Sequence, residues 1–325
     1  MASLRVITPG MLTTIQDRGR WGWQSRGVPV AGPMDPCSHR LANLMVGNES
    51  DAATIEVTLV GPEVEFDDER IAAVTGADFE LAVDGRSTAM NAPFAVPGGS
   101  VLRFGTRRRG ARAYLAISGG IAVPPVLGSR STHVPSAMGG LDGRSLRAGD
   151  RLPLGKRGRE SFRAALSGQK SGESRLFSTP KMTPVPFSPA TVRILPGPQL
   201  DRFASDALDA LQSVAYIVDT NSNRMGFRLQ GPVLRHAGAA EMLSDATTVG
   251  ALQVPTGGQP ILLMADRQTT GGYPSLATVI SADIGLAGQL APGDSISFVV
   301  STLREAMAAL IAQEQALMAF ESGAR

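Results

Sequence analysis

Residues 261–280 read ILLMADRQTTGGYPSLATVI. The apolar runs Ile261–Met264 and Leu276–Ile280 have the length and composition of buried strands. Between them stand Asp266, Arg267, Gln268, Thr269 and Thr270, then Gly271, Gly272, Tyr273 and Pro274. A plain hairpin needs only a turn, whereas this connection brings a carboxylate, a guanidinium, an amide and hydroxyls close together. Paired glycines let a backbone approach a ligand or take positive φ. Two readings stand at this point: a binding loop carried on rigid strands, or a polar hairpin whose side chains satisfy their own backbone.

The same grammar recurs outward from this stretch. Asp17–Gly22 and Asn221–Gly226 also combine arginine with glycine. Arginine holds a planar carboxylate or a phosphate in two-point contact, and glycine amides add an anion nest. The three loops together favour a small anionic or phosphorylated ligand. Short strands bounded by turn signals fill most of the chain, including Leu4–Ile7, Ala53–Val60, Ile71–Thr75, Phe79–Val83, Val101–Phe104 and Ala111–Ile117. Asp84-Gly85 marks a hairpin. Glu56 lies among apolar neighbours on its strand, so it either belongs to a site or faces solvent. Helices are few. Asp35 before Pro36 opens one that stops near Gly47. Another is expected over Pro198–Ser213. A third, about Leu303–Phe320, starts with a Thr302/Glu305 capping box and carries the stripe Leu303, Met307, Leu310, Ile311 and Leu317.

The totals agree with a turn-rich β protein. Gly 37 and Pro 22 exceed their usual share, which suits many turns better than a helical bundle. At 325 residues about two domains are expected. Lys156–Pro189 is polar and rich in Ser, Gly and Pro, so the boundary falls there. The net charge of +2 makes no case for nucleic acid. Arg107-Arg108-Arg109 is the one dense basic run and reads as a solvated hairpin tip. One cysteine, Cys37, excludes an internal disulfide, and His39, His133 and His236 lack ligand spacing, so no metal site is expected. The start MASLRVITPG lacks the apolar core of a signal peptide, and no run approaches the roughly 18 apolar residues of a membrane span. A cytoplasmic protein that binds neither membrane nor nucleic acid is expected. No Gly-x-Ser-x-Gly elbow, phosphate loop or dinucleotide fingerprint is present.

Several blocks carry a more specific signal: TIQDRGRWGWQSRGVPVAGPMD, ATIEVTLVGP, AYLAISGGI, VLGSRST, SNRMGFRLQGP, and the run from SDATTVGALQVP through ADRQTTGGYPSLATVISAD. In this order they resemble the carboxyltransferase-like family, whose members are called allophanate hydrolase subunit 2, KipA-like protein or the C subunit of 5-oxoprolinase. The resemblance covers nearly the whole chain apart from Lys156–Pro189 and the C-terminal helix.

It implies a mainly β fold with a few helices, built as two cyclophilin-like β-barrel domains. Their expected bounds are 1–155 and 190–301, with a polar linker or excursion over 156–189 and a C-terminal helix over 302–325. It also implies a partner, the KipI-like B subunit resembling allophanate hydrolase subunit 1, and for 5-oxoprolinase a lactam-hydrolase A subunit. The expected activity is ATP-dependent cleavage of 5-oxoproline to glutamate by the complex, with the chain inactive alone. Two other functions fit the family: a KipA-like antagonist of a KipI-like kinase inhibitor, and a urea or amide carboxyltransferase component. No Ala-Met-Lys-Met context is present, so no covalent biotin is expected. ATP is expected to be used by the complex.

These chemistries need a polarised carbonyl, a held carboxylate and a stabilised oxyanion. On residue chemistry the candidate catalytic set is Arg18, Arg224, Arg267 and Asp266. Gln268, Thr269, Gly271, Gly272 and Tyr273 would shape the pocket. Asp17, Asn43 and Glu56 are further candidate substrate contacts, with Asp35 beside them.

Overall fold

The computed structural model describes residues 2–156, 189–238 and 242–324. The segment 157–188, which carries nearly all of the expected linker, lies outside the described residues. The chain divides into two compact units. Among the described residues the first comprises 2–20, 35–156 and 316–324, and the second 21–34, 189–238 and 242–315. Residues 21–34 therefore belong to the second unit although they lie early in the chain. Strands dominate both units, and no helix among the described residues is long and apolar enough to cross a membrane.

The first unit is a nine-stranded half-barrel sheet. Its hub is the antiparallel pair Arg70–Val83 and Val101–Ile117. Two expected strands, Ile71–Thr75 and Phe79–Val83, are one strand, because Gly76 takes φ +90° and absorbs a bulge without ending it. Arg107–Arg109 sit within the facing strand and not at a hairpin tip. They stay solvated, with Arg108 3.2 Å from Glu80 and Arg109 3.8 Å from Asp78 on the paired strand. Asp84 and Gly85 take φ +48° and +78°, the two-residue hairpin turn that Asp-Gly favours.

Alternation sends the two faces of the hub to different cores. Ala72, Val74, Leu115 and Ile117 join Leu4, Val6, Val64 and Phe66 on one side. Ile71, Ala73, Tyr114 and Ala116 face the helix Pro36–Met45 on the other, with Leu41, Ala42, Leu44 and Leu317. That helix starts as expected: Asp35 accepts from the Ser38 amide at 3.0 Å, and Pro36 occupies the first position.

The second unit is a closed seven-stranded barrel. Its order is Ala190–Pro196, Ser275–Val279, Ala251–Gln253, Ile261–Leu263, Gly226–Gln230, Tyr216–Val218 and Ser295–Val300. Closure comes from a parallel pairing of the first and last of these, Val192 opposite Phe298. Val192, Ile194, Tyr216, Phe227, Leu252, Leu262, Leu276 and Phe298 fill the interior.

Two expected helical features differ. Pro198–Ser213 is a 3-10 turn, Leu200–Arg202, and a separate helix, Ala207–Ser213. Phe203 between them is extended and bridges His236, so tertiary pairing overrides a helical pattern. The C-terminal helix Leu303–Ala324 has its capping box, with the Thr302 amide 2.8 Å from Glu305 Oε2 and the Glu305 amide 3.2 Å from Thr302 Oγ1. Of the expected stripe only Leu317 is buried, while Leu303, Met307, Leu310 and Ile311 point to solvent. The covered face runs through Ala306, Ala309, Gln313 and Phe320.

Candidate anion-binding site

The strand Ile261–Leu263 enters the barrel wall and delivers Met264, Ala265 and Asp266 into buried positions. The loop then returns through Thr270–Gly271, which pairs antiparallel with Asp245–Ala246. Asp266 and Arg224 face each other across this turn. Arg224 Nε and Nη2 donate to the two carboxylate oxygens at 2.9 and 3.0 Å. Both side chains are buried, and Arg224 Nη2 also donates to the Gly32 carbonyl at 2.6 Å. The Asp266 amide closes the unit by donating to the Arg224 carbonyl at 2.8 Å. This pair is a brace that joins two loops of the second unit.

Arg267 has no such match. It is only 5% exposed. Among the described residues no carboxylate lies at ion-pair distance, and its Nε has no hydrogen-bond partner. Burial pulls its pKa below the ordinary value. A guanidinium stays protonated at neutral pH regardless. A buried cation without a counter-ion is costly, and such perturbed groups cluster at functional sites. Among the described residues its side-chain partner is Gln24 Oε1, at 3.4 Å from Nη2.

Gln24 is held from the other end. Its Nε2 donates to the Thr247 carbonyl at 2.7 Å and to the Thr269 carbonyl at 3.2 Å. Two carbonyls on the nitrogen side and a guanidinium on the oxygen side fix the amide orientation by chemistry. The Thr247 amide donates to the Thr269 carbonyl at 3.1 Å, and the Thr247 hydroxyl donates to the Gln268 carbonyl. Gln268 Nε2 donates to Gln253 Oε1 at 3.3 Å.

Beside this network lies a pocket with about 410 Å³ of empty space, partly open to solvent. Gln199, Asp245, Thr247, Gln253, Gly271 and Tyr273 line it. Of the two expected roles for the paired glycines, close backbone approach or positive φ, the second is not taken, since neither Gly271 nor Gly272 is left-handed. Gly271 leaves room for a neighbour: a Cβ there would stand 2.6 Å from Gln253 Nε2, so the Gln253 amide would have to shift. The pocket is rich in amide and hydroxyl groups with one carboxylate, Asp245, at its wall, suited to hydrogen-bonding a small polar molecule.

The structure thus gathers Arg224, Asp266, Arg267, Gln268, Thr269, Gly271, Gly272 and Tyr273 within the second unit. Arg18, Asp17, Asn43 and Glu56, with Asp35, belong to the first. There Arg18 is exposed and lies 3.5 Å from Asp51. Asp17 is caged by the Ser129 hydroxyl at 2.6 Å, the Ser131 hydroxyl at 2.7 Å, and the Arg130 and Gly19 amides at 2.5 and 3.0 Å. Burial opposes ionisation of Asp17, yet these four donors outweigh it and hold the carboxyl below its usual range. Asn43 Nδ2 donates to the Ala52 carbonyl at 2.7 Å and its Oδ1 accepts from Asn48 at 3.1 Å, which ties down the helix end. Glu56 is buried and does not face solvent; it accepts from the Tyr114 hydroxyl at 2.8 Å. Burial first, then the Glu56 and Asp35 carboxylates, push the Tyr114 phenol well above its ordinary value, so it remains a donor.

Gln24, Thr247, Gln253 and Gln199 are the participants that sequence reasoning missed. Gln24 directly follows the polar run Gln16–Trp23, so the loop chemistry is visible in the sequence and the residue one step beyond it is not.

Comparisons set this geometry among known proteins. Residues 26–300 match the family model described as carboxyltransferase domain, subdomain A and B. The chain is 40% identical over 306 residues to the C subunit of 5-oxoprolinase from Escherichia coli K12, covering 94% of each. It is 36% identical over 293 residues to the C subunit of 5-oxoprolinase from Haemophilus influenzae, covering 90% of this chain and 89% of that one. The crystal structure of Kluyveromyces lactis urea amidolyase superposes with a TM-score of 0.88 at 33% identity, over 98% of this chain and 20% of that protein.

Proposed function

The chain belongs to the carboxyltransferase-domain family, subdomains A and B, and from that premise we propose that it serves as one component of a 5-oxoprolinase. The observation that carries this is identity of 40% spread across 94% of both chains with the C subunit of a 5-oxoprolinase. It acts with a separate KipI-like subunit and a lactam-hydrolase subunit in the cytoplasm, and is inactive by itself. The assembly uses ATP; no residue of this chain is assigned to the nucleotide.

The proposed substrate carries one carboxylate and one lactam carbonyl. Opening it breaks the ring C–N bond and adds water across it, leaving the second carboxylate of glutamate. Arg267 offers the buried positive charge that a carboxylate fits. Gln253, Thr247 and Gln199 offer neutral hydrogen-bonding groups for the remaining polar atoms. Arg224 and Asp266 position the loop and do not touch substrate, because each already satisfies the other.

Co-expression with the KipI-like and lactam-hydrolase subunits, followed by assay of ATP-dependent glutamate release from 5-oxoproline, tests the reading. Turnover that requires all three chains supports it. A folded three-chain assembly without turnover overturns it. A second reading, amide carboxylation, has the urea amidolyase likeness in its favour. It predicts that activity depends on an added biotinylated carrier.

A further inference from the structure

We propose that Gln24 is a displaceable internal ligand: its side-chain oxygen occupies the seat on Arg267 that a small carboxylate takes when it binds. This rests on the reading of Arg267 as a carboxylate anchor and adds the device that keeps the anchor covered when empty. The contact of 3.4 Å from Arg267 Nη2 to Gln24 Oε1 is long for a guanidinium bond, and the acceptor is neutral. A carboxylate on the same nitrogen makes a shorter, charge-assisted bond of about twice the strength.

Gln24 is built to hold the seat and to leave it. It lies on the three-residue turn Gln24–Arg26, with Gly22 at φ +88° before it and Gly27 at φ +76° after it. A Cβ at either glycine would meet nothing within 4 Å, so both flanks of the turn border open space. Gln24 itself is only partly buried, unlike Arg267. Its amide is tied to Thr247 and Thr269 by two neutral bonds. The Thr269 carbonyl keeps the Thr247 amide as a donor when Gln24 swings away. Release costs the Thr247 carbonyl its 2.7 Å bond from Gln24, while the incoming anion neutralises a buried cation.

Gln24→Glu would turn the weak occupant into a permanent one, because a carboxylate pairs with Arg267 from within, while its second oxygen, with no N–H to give the Thr247 and Thr269 carbonyls, turns away from them. Gln24→Met would empty the seat without shortening the side chain. The test is thermal denaturation of the full chain, wild type and both variants, titrated with 5-oxoproline or acetate against matched chloride. The wild type should gain stability with either carboxylate. Gln24→Glu should bind either carboxylate at least about tenfold more weakly than the wild type, the equivalent of one charge-assisted bond. Gln24→Met should respond at equal or lower ligand concentration than the wild type.

A wild-type response that survives unchanged in Gln24→Glu overturns the proposal, as does loss of response in a folded Gln24→Met. Absence of any wild-type response to carboxylate overturns it too. If acetate behaves as stated but the three-chain assembly does not open 5-oxoproline, the functional reading fails and the internal ligand stands.

Discussion

Arg224 and Asp266 meet in two parallel bonds of 2.9 and 3.0 Å inside the second unit, while the adjacent Arg267 has, among the side chains of the described residues, an amide oxygen at 3.4 Å. One arginine of the site is committed to structure, and the other is left with charge to offer. Removing one member of a buried pair strands the other, which costs about 3–5 kcal/mol. Arg224→Met and Asp266→Leu should each lower the denaturation midpoint accordingly. The double variant should recover much of the loss, because no bare charge remains. Equal losses in single and double variants would show that the pair is not the brace described.

A methyl group at Gly271 should force the Gln253 amide to move. Its Cβ would stand 2.6 Å from the Gln253 amide, a buried side chain that also receives Gln268. Gly271→Ala should cost about 1–3 kcal/mol by overpacking. Adding Gln253→Ala should relieve part of that cost. Gly272→Ala, whose nearest neighbour is the Met242 carbonyl at 3.3 Å, should be milder. Thermal denaturation of the three variants ranks these effects.

His39 gives the first unit an acid limit. It is fully enclosed under the sheet, with Nδ1 2.9 Å from the Thr54 hydroxyl, and burial lowers its pKa from 6.5 to about 4. The folded state thus excludes a proton that the unfolded chain accepts. Its contribution is fully present above pH 6.5 and is lost as pH falls toward about 4. The whole window is worth about 3 kcal/mol at most, at roughly 1.4 kcal/mol per unit. Denaturation of His39→Asn at several pH values between 6.5 and 4 should show a flatter stability profile than the wild type. Parallel profiles would remove His39 from the account.

Local chemistry makes much of the fold legible. Asp84-Gly85 demands a hairpin, Asp35-Pro36 demands a helix start, and Thr302 with Glu305 demands a capping box. Each depends on neighbours in sequence, and each is present. What stays hidden depends on distant partners. Closure of the second barrel pairs Val192 with Phe298, which no local pattern encodes. The break at Phe203 follows from its bridge to His236. The exposed Leu303, Met307, Leu310 and Ile311 show that a stripe marks amphipathicity without saying which side is covered.

The site divides in the same way. Arginine and glycine in the Met264–Pro274 loop are readable as anion chemistry, but Arg224, Arg267 and Arg18 look equivalent in sequence. Only packing separates a braced arginine, a buried one without a carboxylate among the described residues, and an exposed one beside Asp51. Gln24 reaches Arg267 across more than two hundred positions, a juxtaposition that spacing cannot announce.

The most direct test of the central claim, that Arg267 seats the substrate carboxylate, is the kinetics of the assembled three-chain enzyme carrying Arg267→Gln, with 5-oxoproline varied at saturating ATP. The account predicts that KM rises by roughly tenfold or more, the loss of a charge-assisted contact, with the assembly intact and kcat less affected. An unchanged KM in a folded, assembled variant would contradict it.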